Sequence, residues 1–125
     1  MPISYHIDSS RGVVFTTASD SFTVDELLAH KAALLADERF RPGLKELADA
    51  RGVKGLSLGP ADIRRLASFD LAHKDNLGGY SLALVVPDAA AFGLARMYQQ
   101  ITEANLPHVG VFRSIEEAAA WLGVG

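Results

Sequence analysis

The last third of the chain alternates between short apolar runs and helical patterns, and this alternation constrains the fold more than any other feature. An apolar run over 80–86 passes through Asp88 into a helical pattern, and a second run over 108–112 passes through Ser114 into another. Strands and helices that alternate with such short connections predict a parallel α/β sheet. The loops that follow the strands of such a sheet open at one edge, where ligands usually bind. We therefore expect Ser57, Asp88 and Ser114 to meet at that edge.

The composition is that of an ordinary globular chain, and it excludes several classes of function. Of the 125 residues, 49% are hydrophobic and 22% are charged, so residues 1–125 are expected to form a single domain. The formal net charge of −3 supplies no basic stripe for a phosphate backbone, so we expect no nucleic-acid partner. The chain contains no cysteine, which excludes disulfides, thiolate metal sites and cysteine nucleophiles.

The first residues show no export pattern. The segment from Met1 to Ser4 has no basic stretch followed by an apolar one. No apolar run approaches the roughly 18 residues that a membrane-spanning helix needs. We therefore expect a cytoplasmic protein with at most peripheral membrane contact.

A hairpin and a helix are expected ahead of the alternating region. Residues 3–7 alternate between apolar and polar, a turn follows at 9–12, and the β-branched run 13–17 completes an antiparallel pair of strands. A capping box that begins at Thr23 opens the first helix, which ends near Asp37.

The segment 44–50 is ambiguous by composition. Its leucine, lysine, glutamate and alanine residues favour a helix, but Gly43 and Gly52 leave only about eight residues between them, a length that suits a strand. We therefore predict a strand. Pro60 opens the second helix, which runs to about Lys74. The inward stripe of this helix consists of Ile63, Leu66, Ala67, Asp70 and Leu71.

The run 80–86 is the most apolar of the predicted strands and is expected at the centre of the sheet. Asp88 caps the third helix, which Asn105 and Pro107 end, and Ser114 caps the fourth. The predicted fold is α/β, with a single mixed, mostly parallel sheet of about five strands and four helices. The predicted order of elements is β-β-α-β-α-β-α-β-α.

Two stretches of this sequence resemble a known family. Residues 92–98 read FGLARMY and residues 111–122 read VFRSIEEAAAWL. They resemble the SpoIIAA-like family, small bacterial proteins whose fold is similar to STAS domains, the anti-sigma-factor antagonists, and to lipid-carrying Sec14-type domains. The resemblance covers essentially the whole chain, including Asp49 at the end of the third strand. It implies a STAS-like domain.

One position departs from the pattern of STAS domains that act as phosphorylation switches. Those domains resemble one another in an Asp-Ser-Ser-Gly run at the start of the second helix. Counting forward from Asp49, the acceptor serine position holds Leu58, and Ser57 lies one residue earlier. A shift of one residue moves a hydroxyl group by about 100° around a helix, or to the opposite face of a strand. This departure argues against a kinase and phosphatase switch.

Patterns that would indicate catalysis are weak. Residues 55–59 read Gly-Leu-Ser-Leu-Gly, formally the nucleophile-elbow pattern around Ser57. Four loop residues, 51–54, separate this run from the preceding strand, so the sharp turn of an elbow is missing. We expect no enzymatic activity and no cofactor, and ester hydrolysis through Ser57 is the least favoured alternative. Metal-ligand spacing is lacking among the histidines, which are His6, His30, His73 and His108.

The first functional hypothesis is a non-enzymatic STAS-like module that binds a lipid or another apolar or amphiphilic small molecule beside the second and third predicted helices. Phe69 falls off the apolar stripe of its helix and is expected to be exposed. Arg96 is the candidate anchor for an anionic head group or a partner carboxylate. The candidate ligand-binding residues are Arg96, Phe69, Met97, Tyr98 and Leu66.

The second hypothesis is a protein-interaction module related to anti-sigma-factor antagonists, which docks a protein partner through the second helix. The candidate partner or regulatory residues are Ser57, Arg65 and Asp88. This hypothesis also allows a homodimer. A partner that requires Phe69 and Arg65 would favour it over small-molecule binding.

Overall fold

The computed structural model describes residues 2–55, 57–106 and 108–124, and five strands and five helices lie within those ranges. Met1, Leu56 of the Gly-x-Ser-x-Gly run and Pro107, the predicted helix breaker, lie outside the described residues. The elements are β1 (Ile3–Asp8), β2 (Val13–Asp20), α1 (Val24–Ala36), β3 (Lys45–Val53), α2 (Pro60–Ala72), α3 (Lys74–Leu77), β4 (Ser81–Val85), α4 (Ala89–Thr102), β5 (Val109–Phe112) and α5 (Ile115–Leu122).

The five strands form one mixed sheet in the order β1-β2-β3-β4-β5. β1 and β2 are antiparallel, with Ile3 opposite Ala18, and every later neighbour pair is parallel. The turn that joins β1 to β2 contains Gly12 at φ 68°, a backbone conformation that glycine adopts without steric cost. The predicted α/β class, the hairpin and the mostly parallel sheet are confirmed.

The prediction that the apolar run 80–86 lies at the centre of the sheet is wrong. β3 is the middle strand, because the hairpin adds two strands on one side of it and β4 and β5 lie on the other. The apolar character of β4 has a different cause. Helices cover both faces of this strand, so its side chains are largely buried on either side.

The ambiguous segment 44–50 is a strand, as predicted, but the predicted loop at 51–54 is wrong in large part, because β3 extends to Val53. β3 forms parallel ladders with β2 on one side and β4 on the other. A strand paired on both sides satisfies its backbone groups and buries its side chains. These tertiary contacts outweigh the helix propensity of the individual residues.

The predicted helix starts are confirmed, and local side-chain caps explain them. The Thr23 hydroxyl accepts from the backbone N–H of Glu26 at 3.1 Å, and the Glu26 carboxylate accepts from the N–H of Thr23 at 2.9 Å. Asp88 accepts from the N–H of Ala91 at 2.9 Å, and Ser114 accepts from the next turn in the same way. Each cap satisfies a backbone N–H that has no partner within its helix.

The second predicted helix divides into two helices, which makes five where four were predicted. α2 ends at Ala72, and His73 leaves helical geometry at φ −111° and ψ 17°. The chain then makes one further turn, α3, which ends at Gly78 in a left-handed conformation with φ 31°. Glycine tolerates this conformation, which explains why α3 stops there.

Helices cover the two faces of the sheet unequally. α1, α2 and α4 lie on one face, where their apolar side chains surround Ala48, Leu82 and Val109. α5 lies alone on the other face, over β3, β4 and β5. No helix in the part of the chain that the structure describes is long and apolar enough to cross a bilayer.

Candidate functional site

A cavity of about 200 Å³ lies between the sheet and the layer formed by α1, α2 and α4. Small side chains create it, since β2 and β3 contribute Ala18, Ala48 and Ala50 to its floor, and α4 contributes Ala91 and Ala95 to its wall. Alanine is too short to fill the space that separates a helix from a sheet. Leucine and phenylalanine side chains from α1, α2, β4 and the loops complete an apolar lining.

Glu46, on β3, brings a carboxylate into this apolar cavity. Its side chain is buried, with 8% of its surface exposed. One carboxylate oxygen accepts a hydrogen bond from the Tyr80 hydroxyl at 2.6 Å, and the other accepts one from the Thr16 hydroxyl at 2.6 Å. A buried carboxylate is costly unless hydrogen bonds satisfy it, and these two bonds provide that compensation.

Asp70, on α2, is a second buried carboxylate at the same end of the cavity. It accepts hydrogen bonds from the Tyr98 hydroxyl of α4 and from the Lys31 ammonium of α1, the latter at 3.0 Å. Lys31 also lies over the Tyr98 ring, with its nitrogen 5.6 Å from the ring centre. Asp70 therefore joins three helices above the sheet.

The protonation of the neighbouring groups follows from burial. Burial and the nearby carboxylates raise the pKa of Tyr80 and that of Tyr98 well above the usual value, so both hydroxyls keep their protons. Burial also lowers the pKa of His30, although the charge of Glu46 opposes the change. The cavity lining thus contains two neutral phenols, one lysine, a histidine that resists protonation and three carboxyl groups, of which Asp49 pairs with Arg51 at 2.9 Å. We refer to Thr16, His30, Lys31, Glu46, Asp70, Tyr80 and Tyr98 as the polar end of the cavity.

The polar end is suited to binding a polar group. Within the described part of the chain, every buried side-chain nitrogen or oxygen has a hydrogen-bond partner. In residues 2–55, 57–106 and 108–124, no group of three or more histidine, cysteine, aspartate or glutamate side chains is placed to hold a metal ion. What the arrangement offers is a set of fixed oxygen atoms at the end of an apolar space, as in many small-molecule sites.

The structure places two of the five candidate ligand-binding residues in the cavity. Leu66 and Tyr98 line it, and both are buried. Phe69 is half-buried rather than exposed, since its ring stacks on His73 with the centres 4.3 Å apart. Met97 is half-buried against the core, and Arg96 is exposed on α4, so neither lines the cavity.

The candidate partner or regulatory residues lie at the surface and have structural partners. The Ser57 hydroxyl donates to the carbonyl of Phe22 at 3.3 Å, and Arg65 pairs with Asp25 at 3.0 Å. Asp88 caps α4. Ser57, Asp88 and Ser114 each follow a parallel strand, β3, β4 and β5 respectively, so the topology places all three at the same edge of the sheet.

Sequence reasoning missed most of the polar end, but a signal was present at two positions. Asp70 occupies an inward position in the predicted stripe of α2, and a charged residue on an apolar face indicates either a partner or a site. Glu46 carries a similar signal, because it lies inside a strand and precedes the buried residues Leu47 and Ala48. Lys31, Tyr80 and Thr16 have no comparable local pattern.

Comparisons with known proteins establish the fold. No protein-family model matches the chain, and a search of the curated proteins gives no match. Among solved structures, the chain is similar to an uncharacterised protein of the DUF3478 family with a SpoIIAA-like fold from Shewanella loihica PV-4. The TM-score is 0.57 and the sequence identity is 20%, and the match covers 96% of this chain and 93% of that one. It is also similar to an anti-sigma factor antagonist from Mycobacterium paratuberculosis, at a TM-score of 0.55 and 17% identity, over 97% and 94% of the two chains. The predicted resemblance is thus confirmed at the level of architecture, and the chain has a SpoIIAA-like fold.

Proposed function

We propose that this protein is a cytoplasmic, non-enzymatic binding module that holds an apolar or amphiphilic small molecule between the sheet and α1, α2 and α4. The observation that carries the proposal is the cavity of about 200 Å³, which has apolar walls and a polar end. An apolar chain or ring would occupy the space above Ala48 and Ala95. Its polar group would lie beside Glu46, Asp70 and Tyr98.

The volume of the cavity limits the size of the ligand. A protein cavity of about 150 Å³ binds benzene, whereas pockets for drug-sized ligands span roughly 300–1,000 Å³. The present cavity lies between these sizes. It suits a single short chain or one ring, and a two-chain lipid would fit only if the helices moved apart.

The same volume sets the expected affinity. Each buried methylene group contributes about 0.8 kcal/mol, so a hexyl chain would contribute about 5 kcal/mol before the cost of association is counted. A simple probe should therefore bind no more tightly than the millimolar range. Tighter binding requires favourable contacts at the polar end.

α1 is the element that would move to admit a ligand. It contributes only one buried side chain, Leu34. Its polar contacts to the rest of the fold are Lys31 to Asp70, the exposed pair of Asp25 with Arg65, and Asp37 at its C-cap to the Tyr5 hydroxyl. A groove between β1 and α1 shares Ile3 and His30 with the cavity. We propose this groove as the route of access.

The proposal is tested with hexan-1-ol, a neutral probe with one short chain. We expect the alcohol to perturb the NMR amide shifts of cavity residues and to raise the melting temperature. Ala48→Leu should abolish both effects, because the larger side chain fills the floor of the cavity. Ala32→Leu makes the same change at an exposed position of α1 and should leave binding intact.

Two outcomes of this experiment would contradict the proposal. If hexan-1-ol causes no shift, or if its binding survives Ala48→Leu unchanged, the cavity is not a ligand site. Native mass spectrometry of the protein as purified adds an independent measurement. A bound small molecule that is lost in Ala48→Leu would support the proposal.

A second candidate function is docking of a protein partner through α2, and the similarity to an anti-sigma factor antagonist favours it. α2 presents the exposed residues Arg64, Arg65 and Ser68 beside the half-buried Phe69. The ion pair between Arg65 and Asp25 is exposed, so a partner could displace it at little cost.

Capture of a defined anti-sigma factor tests this second function. The wild-type protein should bind it, and the double variant Arg65→Glu, Phe69→Ala should not. Arg11→Glu, a charge reversal in the hairpin turn far from α2 in sequence, is the control and should leave capture intact. Equal capture by the wild type and the double variant would exclude α2 as the docking surface.

A further inference from the structure

The polar end of the cavity contains more negative than positive groups. Glu46 and Asp70 supply two carboxylates, and Lys31 supplies the one ammonium group among the cavity-lining residues. Asp70 engages this ammonium at 3.0 Å. No lysine, arginine or histidine of the described residues lies within ion-pair distance of Glu46. The buried Glu46 carboxylate therefore has neutral partners only, the hydroxyls of Thr16 and Tyr80.

The direction of the hydrogen bonds determines which ligand groups the polar end can bind. The hydroxyl hydrogens of Thr16, Tyr80 and Tyr98 all point to carboxylates, so these three groups have no further hydrogen to donate. Their oxygen atoms keep lone pairs that can accept, as do the oxygens of Glu46. The polar end consequently offers mainly acceptors to a ligand, because its one cationic donor, Lys31, already donates to Asp70 and the neutral His30 ring adds a single N–H.

We infer that this polar end recognises a protonated amine, so that the preferred occupant is a short amphiphilic ammonium cation that pairs with Glu46. The inference rests on the proposed function and specifies its ligand class. An ammonium group brings three donors to a cluster of acceptors and supplies the positive charge that Glu46 lacks. Pairing inside an apolar cavity also offsets the cost of burying that carboxylate.

A carboxylate ligand would be repelled by the charges at the polar end. It would place a further negative charge beside the buried carboxylates of Glu46 and Asp70, and like charges at short range disfavour binding. Arg96 would not compensate this charge, because it does not line the cavity. Short fatty acids are therefore expected to be the poorest ligands of their chain length.

Three probes with the same chain test the inference on the unmodified protein at neutral pH. They are hexylamine, hexan-1-ol and hexanoate, and calorimetric or NMR titration gives each dissociation constant. We expect hexylamine to bind at least tenfold more tightly than hexanoate, with the alcohol between them. Binding of the alcohol with hexylamine no tighter than hexanoate would overturn the inference and leave the proposed function standing. If none of the three binds, the proposed function fails and the inference fails with it.

A charge-neutral variant assigns the effect to one side chain. Glu46→Gln keeps the shape of the side chain and can still accept from one hydroxyl and donate to another, so the fold should survive, which circular dichroism would verify. Hexylamine should lose most of its tenfold preference over hexanoate in this variant, because the neutral amide offers the ammonium group no opposite charge. Glu38→Gln, the same change in an exposed loop, should preserve the tenfold preference. An undiminished preference in Glu46→Gln would overturn the role of Glu46.

Discussion

The two faces of the sheet are packed in different ways, although the same strands build both. The face under α5 meets an apolar cluster in which Ala83, Val85 and Ala118 are fully enclosed. The face under α1, α2 and α4 holds a cavity and two buried carboxylates, Glu46 and Asp70. The α5 face consists of Leu47, Ala83, Val85, Ala118 and Leu122, with Phe15, Phe112, Ile115 and Val124 around them.

This difference contrasts a face packed for stability with a face that leaves space beside polar groups. Close packing without polar groups maximises dispersion and burial, so the α5 face contributes stability and has no room for a ligand. A cavity forgoes those contacts, and buried polar groups stabilise the fold only when all of them are satisfied. The α1, α2 and α4 face retains both features, and these are the features that a binding site needs.

Alternation along a single strand makes the contrast possible. In β3, Leu47 packs under α5, whereas Glu46 and Ala48 face the cavity. Successive side chains of a strand point to opposite faces, so one short segment contributes to a close-packed layer and to a polar site.

The largest expected effect concerns the close-packed face. Leu122→Ala should lower the free energy of unfolding by about 3 kcal/mol, because the removed side chain leaves a void in a tightly enclosed cluster. Leu66→Ala, on the cavity face, should cost less, about 2 kcal/mol, since Leu66 already borders empty space and loses fewer contacts. Urea denaturation of both variants measures the difference. A larger loss in Leu66→Ala would contradict the contrast between the faces.

Replacing one buried alanine on each face by leucine should distinguish the two faces more clearly, although the change in stability is smaller than for Leu122→Ala. Ala83→Leu should destabilise the protein by about 2 kcal/mol, because Ala83 has 0% of its surface exposed and α5 leaves no space above it. Ala48→Leu should change the stability by less than about 0.5 kcal/mol, since the added carbons enter the cavity. Thermal and urea unfolding of both variants provide the measurement, and similar losses in the two would show that the cavity cannot accept added atoms.

The smallest expected effect is a loss of stability at mildly acidic pH that is caused by His30, a residue of the cavity face. The folded protein holds the pKa of His30 below the ordinary value of about 6.5, mainly through burial. As pH falls below about 6.5, His30 binds a proton in the unfolded chain but stays neutral in the folded protein. The unfolding free energy should therefore decrease on acidification, by at most about 1.4 kcal/mol per pH unit, until the folded-state pKa is reached.

Substitution of two histidines tests whether His30 causes the pH dependence of stability. His30→Gln should flatten the stability profile between pH 6.5 and the folded-state pKa of His30. His6→Gln changes an exposed histidine of β1 and should leave the slope in place. A slope that persists in His30→Gln would assign the acid sensitivity to another group.

Local chemistry made much of the fold predictable from sequence. The caps at Thr23, Asp88 and Ser114 act within one helical turn, and the turn at 9–12 acts between adjacent residues. Such signals can be interpreted without knowledge of distant contacts. The short helix α3 escaped prediction because only the backbone angles at His73 distinguish it from an extension of α2.

The candidate site was much less predictable. An amphipathic pattern placed Leu66 and Tyr98 on inward faces, but the same reasoning could not tell that Met97, which packs against the core, and the exposed Arg96 do not line the cavity. A helical pattern tells which residues share a face. It does not tell what lies opposite that face, or whether small residues on a neighbouring strand leave a space there.

The sequence alone therefore establishes the order of strands and helices and the edge at which their loops open, because short-range hydrogen bonding and hydrophobic periodicity specify them. The polar end of the cavity depends on pairing between distant segments: Thr16 and Glu46 are 30 residues apart, and Glu46 and Tyr80 are 34 apart. These side chains meet because parallel pairing brings β2, β3 and β4 together, and because alanines on β3 and α4 leave the space that they border. Both causes depend on how the elements pack, which no local pattern in the chain encodes.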